Sequence, residues 1–252
     1  MHLIDRIAHT SRWSRRPTTE KLLLCLGGLA VCLAGPAPFS GVLSFAAACA
    51  LALGAARLPA RAFLGVLALP LGFLAASLPM LMLSVGFGPG LAVSWRPDQA
   101  PVAAALFARA AGATAWLALL ILTTPAHAMI PQLRRIGVPT FLVEIMLLTY
   151  RLIFVFAETA AAGYHAQAAR LGHAGWRRAV HSLGELAAAL FSRAMTRARR
   201  MEIGLAARGF EGDLPVLPED DAPAAGMRLA LIAAGLLLLL ACGFAAERLI
   251  HV

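Results

Sequence analysis

The run from Thr124 to Gly212, TPAHAMIPQLRRIGVPTFLVEIMLLTYRLIFVFAETAAAGYHAQAARLGHAGWRRAVHSLGELAAALFSRAMTRARRMEIGLAARGFEG, is the only long part of the chain that does not read as plain membrane anchor. How it is read decides the fold. Glu144, Arg151, Glu158 and His165 recur every seven residues and so fall on one helix face, an amphipathic pattern within the apolar segment Val138 to Ala162. A continuous helix from Val138 to Arg170 would measure roughly 48 Å, well over the roughly 30 Å of bilayer hydrocarbon. If it crossed, Arg170, Arg177, Arg178, Arg193, Arg197, Arg199, Arg200 and Arg208 would follow on the outside, against the positive-inside rule. The helix is therefore expected to lie along or under the membrane. A second amphipathic helix follows, in which Leu183, Leu186, Leu190, Ala194, Ala198, Met201 and Leu205 step by three and four, with Arg193, Arg197 and Arg200 on a neighbouring face. The first helix closes on Ala169-Arg170-Leu171-Gly172 and the second on Ala207-Arg208-Gly209; Gly172 and Gly209 are the expected left-handed caps.

The remainder reads as membrane. The chain is 60% hydrophobic and 14% charged, against about 25% charged in soluble domains, and its mean hydropathy is +0.76. A basic stretch, 1–21, holds Arg6, Arg12, Arg15, Arg16 and Lys21 and is expected to stay in the cytoplasm, with no signal peptide removed. A four-helix transmembrane part is expected over 22–124. Leu22 to Ala56 is uncharged and broken by Gly35-Pro36-Ala37-Pro38, with Lys21 snorkelling to lengthen the short first helix. Ala62 to Phe87 forms a third span kinked at Pro70 and Pro79, Gly86 to Gln99 an outside loop, and Pro101 to Thr124 a fourth span. Arg109 sits near mid-depth of that span, either as a structural tie between helices or as part of a partner contact. The region 125–212 is then a cytoplasmic coupling-helix region, 213–226 a Pro- and acid-rich linker, and 227–252 the last transmembrane helix. The expected fold class is an all-α integral membrane protein with about five transmembrane helices plus long amphipathic cytoplasmic helices ending in arginine motifs.

The net charge of +9 suggests nucleic acid, but the basic residues flank apolar spans, where topology already accounts for them, and no nucleic-acid partner is expected. Cys25, Cys32, Cys49 and Cys242 lie in apolar runs without CxxC spacing, as small hydrophobes do. The chain has a single lysine, Lys21, and no GxxxxGK[ST], so any ATP that drives it must bind another subunit. No HExxH or GxSxG is present, and no acid, base and nucleophile converge; neither an enzyme nor a cofactor or metal site is expected. His165, His173 and His181 are eight apart, about 12 Å along a helix and too far for one coordination shell. The arginine ends are the better signal. A guanidinium at a helix tip offers a planar fork for carboxylates, and small Ala and Gly neighbours let the tip enter a groove; ordinary complementation of the helix dipole is the competing explanation.

Further residues support a family likeness: TTP at Thr123 to Pro125, LRRIGVP at Leu133 to Pro139, VEIMLLTYRLIFVFAE at Val143 to Glu158, and AARGF at Ala206 to Phe210. With the basic start before the first span, these make the chain resemble the transmembrane T component (EcfT family) of energy-coupling factor transporters, most closely its CbiQ-type cobalt transport subunit. The TYR at Thr149 to Arg151 is similar to the metal-transport branch. The resemblance implies a non-enzymatic scaffold in a bacterial inner membrane that transmits ATPase motion to a separate substrate-binding membrane subunit. Its implied partners are a CbiO-type ABC ATPase dimer, a CbiM-type substrate-binding subunit and a small CbiN-like accessory. It maps ATPase docking onto Ala169, Arg170, Leu171, Ala207, Arg208 and Gly209, with Leu171 standing where the family has Gly. The alternatives are the same role in a nickel or vitamin transporter, or a membrane assembly protein without a transport cycle.

Overall fold

The computed structural model describes residues 13, 16–36, 39–87, 91–95, 97–210 and 226–250. Helices dominate: α1 (Thr18–Ala34), α2 (Phe39–Ala50), α3 (Ala60–Leu81), α4 (Ala100–Thr123), the short α5 (Ala126–Met129), α6 (Thr140–Ala169), α7 (Trp176–Ala206) and α8 (Gly226–Ile250). They group into two compact units: α1–α5 with α8, and α6 with α7 and the 3-10 segment Ile130–Ile136 that precedes them. The expected break at Gly35-Pro36 falls between α1 and α2; the Pro38 side of it lies outside the described residues, as do the turn and linker residues 211–225.

In the first unit α4 is central, packing against α1, α2 and α3. Its buried face includes Ala111, Ala115, Trp116, Leu119 and Leu122. Small residues bring the backbones together, as expected where lipid leaves little hydrophobic drive for helix association. A Cβ on Gly41 would lie 2.5 Å from the Ala108 carbonyl carbon, and one on Gly112 would lie 2.7 Å from the Gly41 carbonyl oxygen. The Trp116 ring lies flat enough on α1 that a Cβ on Gly28 would come within 2.3 Å of it. Large apolar side chains point the other way: on α3, Leu69 is 81% and Phe73 75% exposed, a distribution that suits lipid and not water.

Several expectations change. The third span stops at Leu81, not Phe87, because Leu83–Phe87 pairs antiparallel with Leu91–Trp95 in a hairpin where a loop is expected. Lys21 does not snorkel: it is 3% exposed, and its ammonium donates to the Thr123 carbonyl oxygen at 3.4 Å, where the end of α4 leaves that acceptor without a helical partner. Among the described residues, four helices are long and apolar enough to cross a membrane: α3, α4, α6 and α8. α1, with 17 residues, and the apolar stretch Phe39–Ala55 are shorter. α6 meets that criterion by length and composition alone. On that helix Glu144 is not exposed like Arg151 and Glu158 but is 8% exposed and paired with Arg134 at 3.5 Å.

The Gly41 contact is backbone against backbone, so it cannot relax by a rotamer change. Gly41→Ala is expected to lower stability by about 1–3 kcal/mol, seen as a reduced Tm of the detergent-solubilised protein. Gly65→Ala, where a Cβ meets no atom within 4 Å, should not.

Candidate functional site: two arginine-tipped helix ends

The ends of α6 and α7 share one hydrogen-bond pattern. At the end of α6 the Leu171 N–H donates to the Ala168 carbonyl at 3.0 Å and the Gly172 N–H to the Gln167 carbonyl at 2.9 Å. At the end of α7 the Gly209 N–H donates to the Ala206 carbonyl at 3.1 Å and the Phe210 N–H to the Leu205 carbonyl at 3.1 Å. Both are Schellman caps, in which crossed bonds satisfy carbonyls that the helix leaves open. Arg170 and Arg208 therefore occupy the same cap position. Both are exposed, and neither guanidinium is held in an ion pair among the described residues. Ala169 and Ala207, one residue before each arginine, are exposed as well.

Gly209 is left-handed as expected, with φ 71°, but Gly172 is not; Leu171 takes that role, with φ 59°. The corrected assignment has a steric reason. A Cβ on residue 172 would lie 2.9 Å from both the Gln167 carbonyl oxygen and Ser182 Oγ, so glycine is needed one place later and the left-handed position falls to leucine. For a residue with a side chain that conformation costs roughly 1–2 kcal/mol. Two side-chain bonds hold it: Ser182 Oγ donates to the Gly172 carbonyl at 3.0 Å, and Gln167 Nε2 donates to the Ser182 carbonyl at 2.7 Å. The Tyr164 ring stacks on His173, centroids 4.4 Å apart, beside the same turn. Gln167, Ser182 and Tyr164 were not signalled by the sequence pattern, because the clamp joins residues up to 15 apart across a turn.

Further along, Leu186 packs over Gly163, joining α6 to α7. Arg193, Arg197 and Arg200 line a groove of about 610 Å³ against Val155, Phe156 and Thr159. The hydroxyls of Thr159 and Thr196 bond back to their own helix, at 2.8 and 2.9 Å. His181 lies 3.6 Å from Glu185 on the same helix face. The two caps stand at opposite ends of α7, whose 31 residues extend about 46 Å at 1.5 Å per residue. Arg109 is elsewhere, in the first unit. Its Nη2 donates to the Gly35 carbonyl at 2.7 Å, where α1 ends, and its own carbonyl accepts a bond from Cys32 Sγ at 3.4 Å.

Because the two caps differ only in the residue carrying positive φ, their glycine requirements differ. Leu171→Gly is expected to leave the α6 cap intact and to stabilise it by up to about 1 kcal/mol. Gly209→Leu should loosen the α7 cap by about 1 kcal/mol. Hydrogen exchange of the Gly172 and Phe210 amides reads each cap separately: faster exchange at Gly172 in Leu171→Gly would contradict this assignment.

Residues 10–218 match the family described as CbiQ, cobalt transport protein. The chain is 46% identical over 246 residues to the cobalt transport protein CbiQ of Rhodobacter capsulatus, covering 93% of this chain and 98% of that protein. It is 28% identical over 223 residues to CbiQ of Salmonella typhimurium, covering 83% and 97% of the two chains. A putative fused cobalt transport protein, CbiMQ of Methanocorpusculum labreanum, is 27% identical over 234 residues, which are 87% of this chain and 38% of the longer fusion. With the family match spanning most of the sequence and the apolar helices suited to a bilayer, the chain belongs to the CbiQ family of multi-pass membrane transport proteins.

Proposed function

We propose that this chain is the scaffold and coupling subunit of a cobalt importer of the energy-coupling factor type. ATP hydrolysis belongs to a separate CbiO-type ATPase dimer and substrate capture to a CbiM-type membrane subunit, with a small CbiN-like accessory. The family and the names of its relatives support cobalt, and a relative named as a fused CbiMQ supports a CbiM-type partner. The chain's own contribution is mechanical. The observation that carries this reading is the pair of like-built arginine caps at the two ends of α7. A dimeric motor presents two equivalent surfaces, and two equivalent tips about one long helix apart suit them.

In this reading the N-terminus and both tips face the cytoplasm of an inner membrane, and α6 stays on that side, so that the arginines of α7 remain inside. Each guanidinium enters an acidic groove of one ATPase, with Ala169, Leu171, Ala207 and Gly209 giving it clearance. Closure of the ATPase dimer shifts the tips relative to each other. The helices carry that displacement to the substrate subunit through their exposed apolar faces, which include Phe141, Ile145 and Ile153 on α6. Arg109 serves as an internal tie: it binds the end of α1 to α4, so the first unit moves as a body.

Truncating or reversing a buried interfacial charge costs about 2–5 kcal/mol, or roughly 30- to several-thousandfold in affinity. Arg170→Glu and Arg208→Glu are each expected to lose co-purification with the ATPases and ATP-dependent cobalt uptake by cells that carry the whole complex. Arg→Lys at either site should fall between, because lysine keeps the charge without the fork. Unchanged co-purification and uptake in both Glu variants would remove the docking role, and uptake that does not require active ATPases would remove the coupling role.

A further inference from the structure

A cavity of about 470 Å³ lies among α1, α2, α4 and α8 in the first unit. One part of its wall is polar, formed by Trp13, Arg16, Glu20 and Lys21. Glu20 is 3% exposed, and neither of its carboxylate oxygens has a hydrogen-bond partner among the described residues. The indole N–H groups of Trp13 and Trp116 are likewise buried without acceptors. The rest of the wall is hydrocarbon, from Leu24 and Leu51 to Leu231, Leu236 and Leu239. On the α2 side the helix widens into a π turn over Leu51–Ala55, a departure that is frequent at functional sites. Ala47, Ala50 and Ala55 keep that side open.

A buried carboxylate without a partner is among the most costly groups a fold can hold, and it calls for a cation with N–H donors. Among the described residues no ion pair reaches it. The Arg16 guanidinium lies over the Trp13 ring, 5.1 Å from its centroid, and the Lys21 ammonium donates to the Thr123 carbonyl. The cavity thus offers an acceptor for an amine, the Arg16 cation and two indole donors for an anion, and leucines for a hydrocarbon tail. We propose that it holds a phospholipid whose headgroup carries a primary amine, of the phosphatidylethanolamine type. The ammonium meets Glu20, the phosphate meets Arg16 and the two indole N–H groups, and an acyl chain follows the leucines of α8. Those lead out to lipid, since Leu231 is 67% exposed and Leu238 67%. A phosphatidylglycerol headgroup would leave Glu20 without a cation, and a free amine or phosphate would leave the leucine wall empty.

The test uses the full chain, purified in mild detergent, stripped of lipid and offered phosphatidylethanolamine or phosphatidylglycerol with identical acyl chains. Native mass spectrometry reads the bound lipid. The expected result is one phosphatidylethanolamine per chain, preferred by about tenfold over phosphatidylglycerol. Glu20→Gln should reduce that preference to about twofold or less. Gly235→Leu, at a wall position where a Cβ meets no atom within 4 Å, should fill the cavity and reduce binding of both lipids. Equal binding of the two lipids by the wild type, no retained lipid, or a preference unchanged in Glu20→Gln would overturn the proposal. The wild-type comparison stands whether or not the variants fold.

Discussion

Every helix ends in carbonyl oxygens that have no partner within the helix, and in an apolar setting water is not there to take their hydrogen bonds. Much of this structure follows from how those ends are closed. At α1 the Gly35 carbonyl accepts a bond from Arg109, and at α4 the Thr123 carbonyl accepts one from Lys21. Both cations are drawn inward to the negative end of a helix dipole, where charge and hydrogen bonding act together. At α6 and α7 the backbone closes its own ends through crossed caps, which leaves Arg170 and Arg208 pointing away. The same residue type therefore does two different things: it is consumed inside the bundle and presented outside it.

Closure of the first unit depends on glycine where a larger residue would hold backbones apart. Gly41 and Gly112 face each other across α2 and α4, and Gly28 receives the Trp116 ring. Dispersion contacts of this kind need close approach, and the large apolar side chains are left for lipid. Helix-end bonds and glycine contacts meet around Arg109, whose backbone packs on Gly41 while its side chain closes α1. The proposed coupling role gives these contacts a purpose, because a subunit that transmits force between partners must not yield internally.

The second unit meets a stricter demand at its first tip. Leu171 sits in a conformation that glycine would adopt at lower cost, and the chain keeps it there with Ser182 and Gln167. The turn is thereby fastened to α7 itself, so a displacement of Arg170 reaches α7 without being absorbed in a loose loop. The second tip has glycine at the equivalent place and no such side-chain clamp among the described residues, so the two ends are alike in backbone and unlike in how they are held.

The sequence by itself determined the membrane character, the break at Gly35-Pro36, the two long helices and both arginine ends, since each depends on composition or on periodicity within one segment. It placed Gly209 correctly because that cap is local. It misassigned Gly172 and Lys21, and carried no sign of the Arg134 partner of Glu144, because their surroundings come from elsewhere in the chain: Ser182 crowds residue 172, the end of α4 captures Lys21, and Arg134 reaches Glu144. The hairpin of Leu83–Phe87 with Leu91–Trp95 was hidden for a related reason, as its alternation is short and follows an apolar helix without a charged boundary. Tertiary structure alone assembled the cavity around Glu20, whose walls come from four helices and whose polar groups carry no sequence pattern. Patterns along one helix report which face is apolar; only packing decides which polar group finds a partner, and which is left to wait for one.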